Sequence, residues 1–243
     1  MSVRPFSHEA LQANRSVSSS ARADTAYDYL KTCLLEGDFG AGQKLSVVEL
    51  TRELNCSRVP VMEAIKRLAG AGFLHIVPQV GCRVVTPQPA EVRDFFALFA
   101  ATEGTVTAFA AARRSAAEVE EFKLLCAHID DVASRAGKPG DRDPTYRRLN
   151  LLFYSFLHRL ARSPVTTMIA ASMWDRSDFY IKLAFGSLYF SRAVRAAHAA
   201  IRAALIAGDA EGAHAAVAAH LHAVGDGVAA TMEKLAAQQQ DPM

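Results

Sequence analysis

The chain has 243 residues, 51% of them hydrophobic and 21% charged, with a formal net charge of +2. This length suits two globular domains, each large enough to bury its own core. The near-neutral charge excludes a binder held by bulk electrostatics alone. Four scattered cysteines (Cys33, Cys56, Cys82 and Cys126) without a CxxC pair argue against a secreted disulfide scaffold and fit free thiols in a reducing cytosol.

Residues 1–22 are polar and serine-rich, contain no hydrophobic signal core, and read as a disordered leader. Asp24 is placed to cap a helix over 25–36, in which Ala26, Tyr29, Leu30, Cys33 and Leu34 recur at helical spacing before Gly37 stops it. A glycine-rich turn follows over 38–43. Ser46 then caps a short helix through Leu54, with Val47, Leu50 and Leu54 facing inward. After the tight turn Asn55-Cys56-Ser57, a third helix runs to about Gly70. Ser57 sits at its N-cap, Pro60 lies in its first turn, and Val61, Ile65 and Leu68 form its inner face. Phe73–Val77 alternates as a strand, Pro78–Gly81 turns, and Cys82–Val85 returns as a second strand. Three helices and a two-stranded hairpin make a winged helix-turn-helix. Residues 1–87 carry 10 Lys/Arg against 8 Asp/Glu, whereas the remainder is balanced, so the small basic excess lies in this part.

Thr86-Pro87-Gln88-Pro89 marks a boundary. The predicted organisation is a winged helix-turn-helix over 23–87, a linker at 88–89, a helical domain over 90–237 and a tail over 238–243. Helices are expected near 90–113, 115–136, 143–162, 164–185, 187–207 and 209–237, punctuated by Ser115, Gly137-Lys138-Pro139-Gly140, Ser163-Pro164, Gly186-Ser187 and Gly208-Asp209. The fold class is therefore mainly α, ending in an antiparallel helical bundle. The apolar stretch 95–112 carries Glu103 at its centre and reads as a buried core helix rather than a membrane span.

The run Ser57-Arg58-Val59-Pro60-Val61-Met62-Glu63-Ala64-Ile65-Lys66-Arg67-Leu68, then Gly72-Phe73-Leu74 and Gly81, resembles the DNA-binding domain of the GntR family. Upstream, Gly37, Gly42, Leu45 and Leu50 match its spacing. In the bundle, His198, Gly208-Asp209, Ala213 and His220-Leu221 keep the order of the FadR-type subfamily, with the two histidines 22 residues apart. The resemblance implies a cytoplasmic bacterial regulator, expected to repress, that binds a palindromic double-stranded operator as a homodimer under control of a small-molecule effector. It implies no membrane attachment and no enzymatic activity.

A recognition helix places its leading end against base edges. The expected DNA-contacting residues are Ser57, Arg58, Val59 and Pro60 on that helix, Lys66 farther along it, and Gly81 and Arg83 in the wing. Arg58 suits guanine or a phosphate. Two positions depart from the family pattern. Met62 stands where a second arginine is usual, and Val80 where the wing tip is usually basic. Both predict a narrower or weaker operator preference, although Met62 can meet a thymine methyl.

The resemblance also implies a metal site in the bundle, held by Asp and His four residues apart and by two later histidines. Here Asn150, Tyr154, His198 and His220 occupy those positions, and 150 and 154 share one helix face. A neutral amide and a phenol are poor metal ligands, which leaves His198 and His220 as a degenerate pair and disfavours a divalent cofactor. The same residues, with Phe99 and Glu103, are the expected effector pocket; alternatively the histidines are buried groups bonded to Asn150, Tyr154 or water. Phe99 replaces the family arginine that meets an effector carboxylate, which shifts the expectation toward an apolar or aromatic effector. His158 and Trp174 are expected near the pocket. Two other readings compete: a dimeric regulator with an unresponsive pocket, and a metal-dependent hydrolase using His158, His198 and His220. The latter lacks close ligand spacing and a neighbouring carboxylate base.

Overall fold

The computed structural model describes residues 19–77, 81–135, 145–186 and 191–240. The expected wing turn with Val80, the segment around Gly137–Gly140, Ser187, and the leader up to residue 18 lie outside the described residues. The chain forms two compact units, Met1–Thr86 and Pro87–Met243.

The first unit contains α1 (Ser19–Glu36), β1 (Lys44–Leu45), α2 (Val47–Glu53), α3 (Arg58–Gly70), β2 (Leu74–Val77) and β3 (Gly81–Val84). Leu30 and Leu34 of α1, Ile65 and Leu68 of α3, and Leu74 of β2 are fully buried and form its centre. Two expectations change here. Helix α1 starts at Ser19, so residues 19–22 are helical rather than part of a disordered leader. Asp24 lies inside that helix and does not cap it; its carboxylate accepts from Arg67 on α3 at 2.7 Å. The wing also gains a strand. Its sheet has the order β1-β3-β2, all antiparallel, because Lys44 and Leu45 pair with Arg83 and Cys82. A two-residue strand has no alternation to reveal it in a sequence.

The second unit is helical: α4 (Pro89–Arg113), α5 (Ala116–Arg135), α6 (Thr145–Ala161), α7 (Pro164–Phe185), α8 (Arg192–Ala207) and α9 (Ala210–Gln240). Gln88 and Glu91 begin α4 with a capping box, in which Gln88 N–H donates to the Glu91 carboxylate at 2.8 Å. Helix α8 begins later than expected because Ser191, whose hydroxyl accepts the Val194 N–H at 3.1 Å, is its cap. Helix α9 continues to Gln240, so the tail expected from residue 238 is helical at first.

Helix α4 is the middle of the bundle and packs against α6, α7, α8 and, along much of its length, α9. It is long and apolar enough to cross a membrane by composition. Yet Glu103 at its centre is completely buried within the unit, together with Phe96, Phe99 and Val106. The α4–α9 contact is close because α9 has small residues there. A Cβ on Gly225 would stand 2.5 Å from Phe96 Cβ. The α8–α9 turn is made by Gly208 at φ 76°, with the Arg114 guanidinium in the space a side chain would fill and donating to Ile206 O at 2.9 Å.

This geometry separates two nearby glycines of α9. Gly225→Ala is expected to lower stability by about 1–3 kcal/mol through overpacking. At Gly227 the same change meets only Phe185 at 3.8 Å, so it should be neutral or stabilise by up to about 1 kcal/mol through helix propensity. Urea unfolding of both variants checks this, and equal effects would contradict the α4–α9 packing.

Candidate functional site

In the first unit, Ser46 caps α2 by accepting the Glu49 N–H at 3.3 Å. The turn through Asn55, at φ 46°, then launches α3 from Ser57. Ser57 occupies the N-cap without using its side chain as a cap. Ser57, Arg58, Val59 and Lys66 are exposed, Val59 to 69%, whereas Pro60 is buried and serves the start of the helix rather than a surface. The α3 leading end opens onto a groove of about 880 Å³ whose walls include Lys44, Ser46 and Val48 near α2, Arg58 and Met62 on α3, and Ile76 and Gly81 on the wing. Gly81 adopts φ 125°, with the Leu45 carbonyl 3.4 Å from where a Cβ would lie.

Beside the expected Arg83, the sheet adds two residues that motif reading missed, Lys44 and His75. Lys44 is registered with Arg83, and Arg83 with His75, so three basic side chains form a row across β1, β3 and β2, all exposed. Lys44 and Arg83, two cations directly opposite one another, repel in the sheet, and an anion alongside relieves that repulsion. Arg83 also donates to Gly42 O at 3.3 Å. Arg67, by contrast, is committed to Asp24 and lies 4.1 Å over the Tyr27 ring.

In the second unit Phe99, Glu103, Tyr154, His198 and His220 are linked, through Trp174, in one chain of contacts. Glu103 of α4 takes a hydrogen bond from Trp174 Nε1 at 3.3 Å and pairs with His158 Nε2 at 2.9 Å. Trp174 packs on Phe99 and Tyr154, with ring centroids 4.9 and 4.1 Å apart. Tyr154 meets His198 edge-on at 5.9 Å, and His198 meets His220 at 5.8 Å. Phe153 stacks on His198 at 4.5 Å. Asn150 is buried one turn before Tyr154 on α6.

Beyond Glu103, the Tyr154, His198 and His220 side of the cluster is polar but uncharged. Burial, aided by the nearby His220 and Arg202, pushes His198 down to about 3. Burial pushes His220 down to about 4. Burial also raises the Tyr154 phenol well above its usual range, with the Glu103 charge adding to the effect. The cation at the edge, Arg202, is held by both oxygens of Asp130 at 2.6 and 2.9 Å. Among the described residues, Asn150 Oδ1 and the Tyr154 hydroxyl make no hydrogen bond. The expected bonds from the histidines to these two atoms are therefore not made.

This donor set does not fit the metal that the resemblance implies. An amide oxygen and a phenol held protonated leave two imidazoles, fewer than a zinc-type site uses. Among the described residues no three His, Cys, Asp or Glu side chains converge to hold an ion. His158, the third member of the hydrolase reading, is engaged by Glu103 instead.

A pH dependence follows. A histidine with an ordinary value near 6.5 that falls to about 3 or 4 on folding binds its proton mainly when unfolded. Stability is therefore lost as pH falls from about 6.5 toward 4. Asp178, raised by burial to about 6, has the opposite sign over its own window. Urea midpoints at pH 7 and pH 5 should differ less in His198→Gln than in the parent; an unchanged difference would contradict a buried neutral His198.

Residues 22–84 match the model of bacterial regulatory proteins of the gntR family, and residues 94–223 match the FCD domain. An HTH-type transcriptional regulator of Agrobacterium vitis, from the TAR-I ttuE-ttuC' intergenic region, is 30% identical over 113 residues, which are 46% of this chain and 66% of that protein. The fold is similar to that of E. coli McbR/YncC, with a TM-score of 0.63 and 20% identity over 93% of this chain and all of that one. It is also similar to a GntR transcriptional-regulator structure from Rhodococcus sp. RHA1, with a TM-score of 0.65 and 19% identity over 86% of this chain and 97% of the other. The chain belongs to the gntR family of bacterial regulatory proteins, in the subfamily that joins a winged helix-turn-helix DNA-binding domain to an all-helical FCD effector-binding domain.

Proposed function

We propose that this regulator binds a palindromic operator as a homodimer in the cytoplasm, represses from it, and is released by a small molecule taken into the helical unit. The observation that carries the DNA reading is the leading end of α3, where Ser57, Arg58 and Val59 stand exposed beside an open groove. Arg58 reads a base edge or grips a phosphate there. Val59 and Met62 offer apolar surface suited to thymine methyl groups. The row Lys44, Arg83 and His75 supplies backbone contacts, which position the protein without reading sequence. Support for a dimer comes from α7, where Val165, Met168 and Ile169 expose an apolar face at i, i+3 and i+4. The buried polar atoms without partners in the FCD unit favour an effector over a pocket that has become simple scaffold.

An operator selected from a random duplex pool, followed by anisotropy titrations across salt concentrations, tests the DNA reading. Arg58→Ala should cost about 1–3 kcal/mol, roughly 5–150-fold in affinity, and relax the preference at one position. Arg83→Ala should weaken all duplexes similarly and reduce the salt slope by about one. Equal binding of parent and Arg58→Ala to every duplex would remove α3 as the reading element.

A further inference from the structure

We propose that the FCD unit binds a small, uncharged, hydrogen-bonding molecule at Asn150, Tyr154, His198 and His220 directly, with no metal ion between ligand and protein. This deepens the effector reading and rests on it. Two independent features of the cluster point the same way. The first is the pair of buried atoms without partners. Tyr154 is 1% exposed and Asn150 5%, and neither the phenol hydroxyl nor the amide Oδ1 has a hydrogen bond among the described residues. Buried polar atoms left unmade are costly, so native proteins rarely keep them without a guest to satisfy them. The hydroxyl donates and Oδ1 accepts. A guest hydroxyl or primary amide offers both the acceptor and the donor they need.

The second feature is the charge around the cluster. A carboxylate guest needs a cation or a metal. Arg202 lies 5.9 Å over the Phe153 ring and is already bound through two nitrogens to Asp130. His158 is paired with Glu103. Glu103 itself is a fully buried carboxylate one ring away from Tyr154, through Trp174, and it repels an anion. The neighbouring surfaces are aromatic, from Trp174, Tyr154 and Phe153, which suits a compact apolar body on the guest.

Two measurements on the full-length protein test this. In the first, zinc chloride alone is titrated calorimetrically into the parent and into Asn150→Asp/Tyr154→His, which restores a carboxylate and a third imidazole. The variant should bind zinc at least about 100-fold more tightly than the parent. Stoichiometric zinc binding by the parent at micromolar or lower concentration overturns the proposal, and that titration stands even if the variant fails to fold.

In the second, melting temperature is followed with matched probes: benzoate, benzamide and benzyl alcohol, then lactate, lactamide and propane-1,2-diol. At least one amide or alcohol should raise Tm while its matched acid does not. Tyr154→Phe should lose that response yet melt no lower than the parent without ligand, because its hydroxyl has no bond to lose. A response to the acids, silence of all six probes, or a lower ligand-free Tm for Tyr154→Phe overturns the proposal. If a neutral probe binds without changing operator affinity, the site assignment stands and the regulatory reading fails.

Discussion

The helical unit is organised around a carboxylate in its interior. Glu103 lies midway along α4, fully buried, and is held by His158 from α6 and Trp174 from α7. Such a group is stable only when paired and hydrogen-bonded, because removing one partner leaves a desolvated charge behind. It therefore dictates which faces of α6 and α7 turn toward α4. Gly225 of α9 lets that helix lie close on α4 at Phe96. With these contacts in place, Tyr154 on α6, His198 on α8 and His220 on α9 meet through ring contacts, with Asn150 one turn along α6.

In the DNA-binding unit the dominant constraint is steric rather than electrostatic. A net charge of +2 on the chain gives little long-range attraction. The short α2–α3 joint and the tightly packed α1–α3 core leave the leading end of α3 exposed, and the sheet registers its basic side chains in one row. Local placement of a few cations thus substitutes for a strongly basic surface. Arg67 illustrates the difference between charge and availability. It belongs to the same helix as Arg58 but is tied to Asp24 and Tyr27, where it joins α3 to α1.

The bundle site carries the opposite chemistry. Asn150, Tyr154 and His198 are buried and His220 half-buried, and desolvation lowers the imidazoles and raises the phenol. Asn150 and Tyr154 stand where the resemblance implies metal ligands, and an amide and a phenol cannot hold a divalent ion as a carboxylate and an imidazole do. Specificity in such a site comes from hydrogen-bond matching, where a guest lacking the right donor or acceptor leaves protein atoms unsatisfied.

Much of the architecture was legible in the residues themselves. The spacing of Val61, Ile65 and Leu68, the turn at Asn55–Ser57 and the wing strand around Cys82 marked the DNA-binding fold, because helical and strand periodicity are local properties. The four bundle residues are named only through the family resemblance, not from periodicity or spacing. What only the tertiary structure decided was partnership. Asp24 pairs with a helix 43 residues away instead of capping its own, and Lys44 joins a strand that no alternation announces. His158 satisfies Glu103, while the Asn150 and Tyr154 polar atoms stay without hydrogen bonds. Composition and period record which face of an element is apolar, but not which distant side chain stands opposite it. Hydrogen bonds and ion pairs act over a few ångströms, so only the folded path of the chain determines who meets whom.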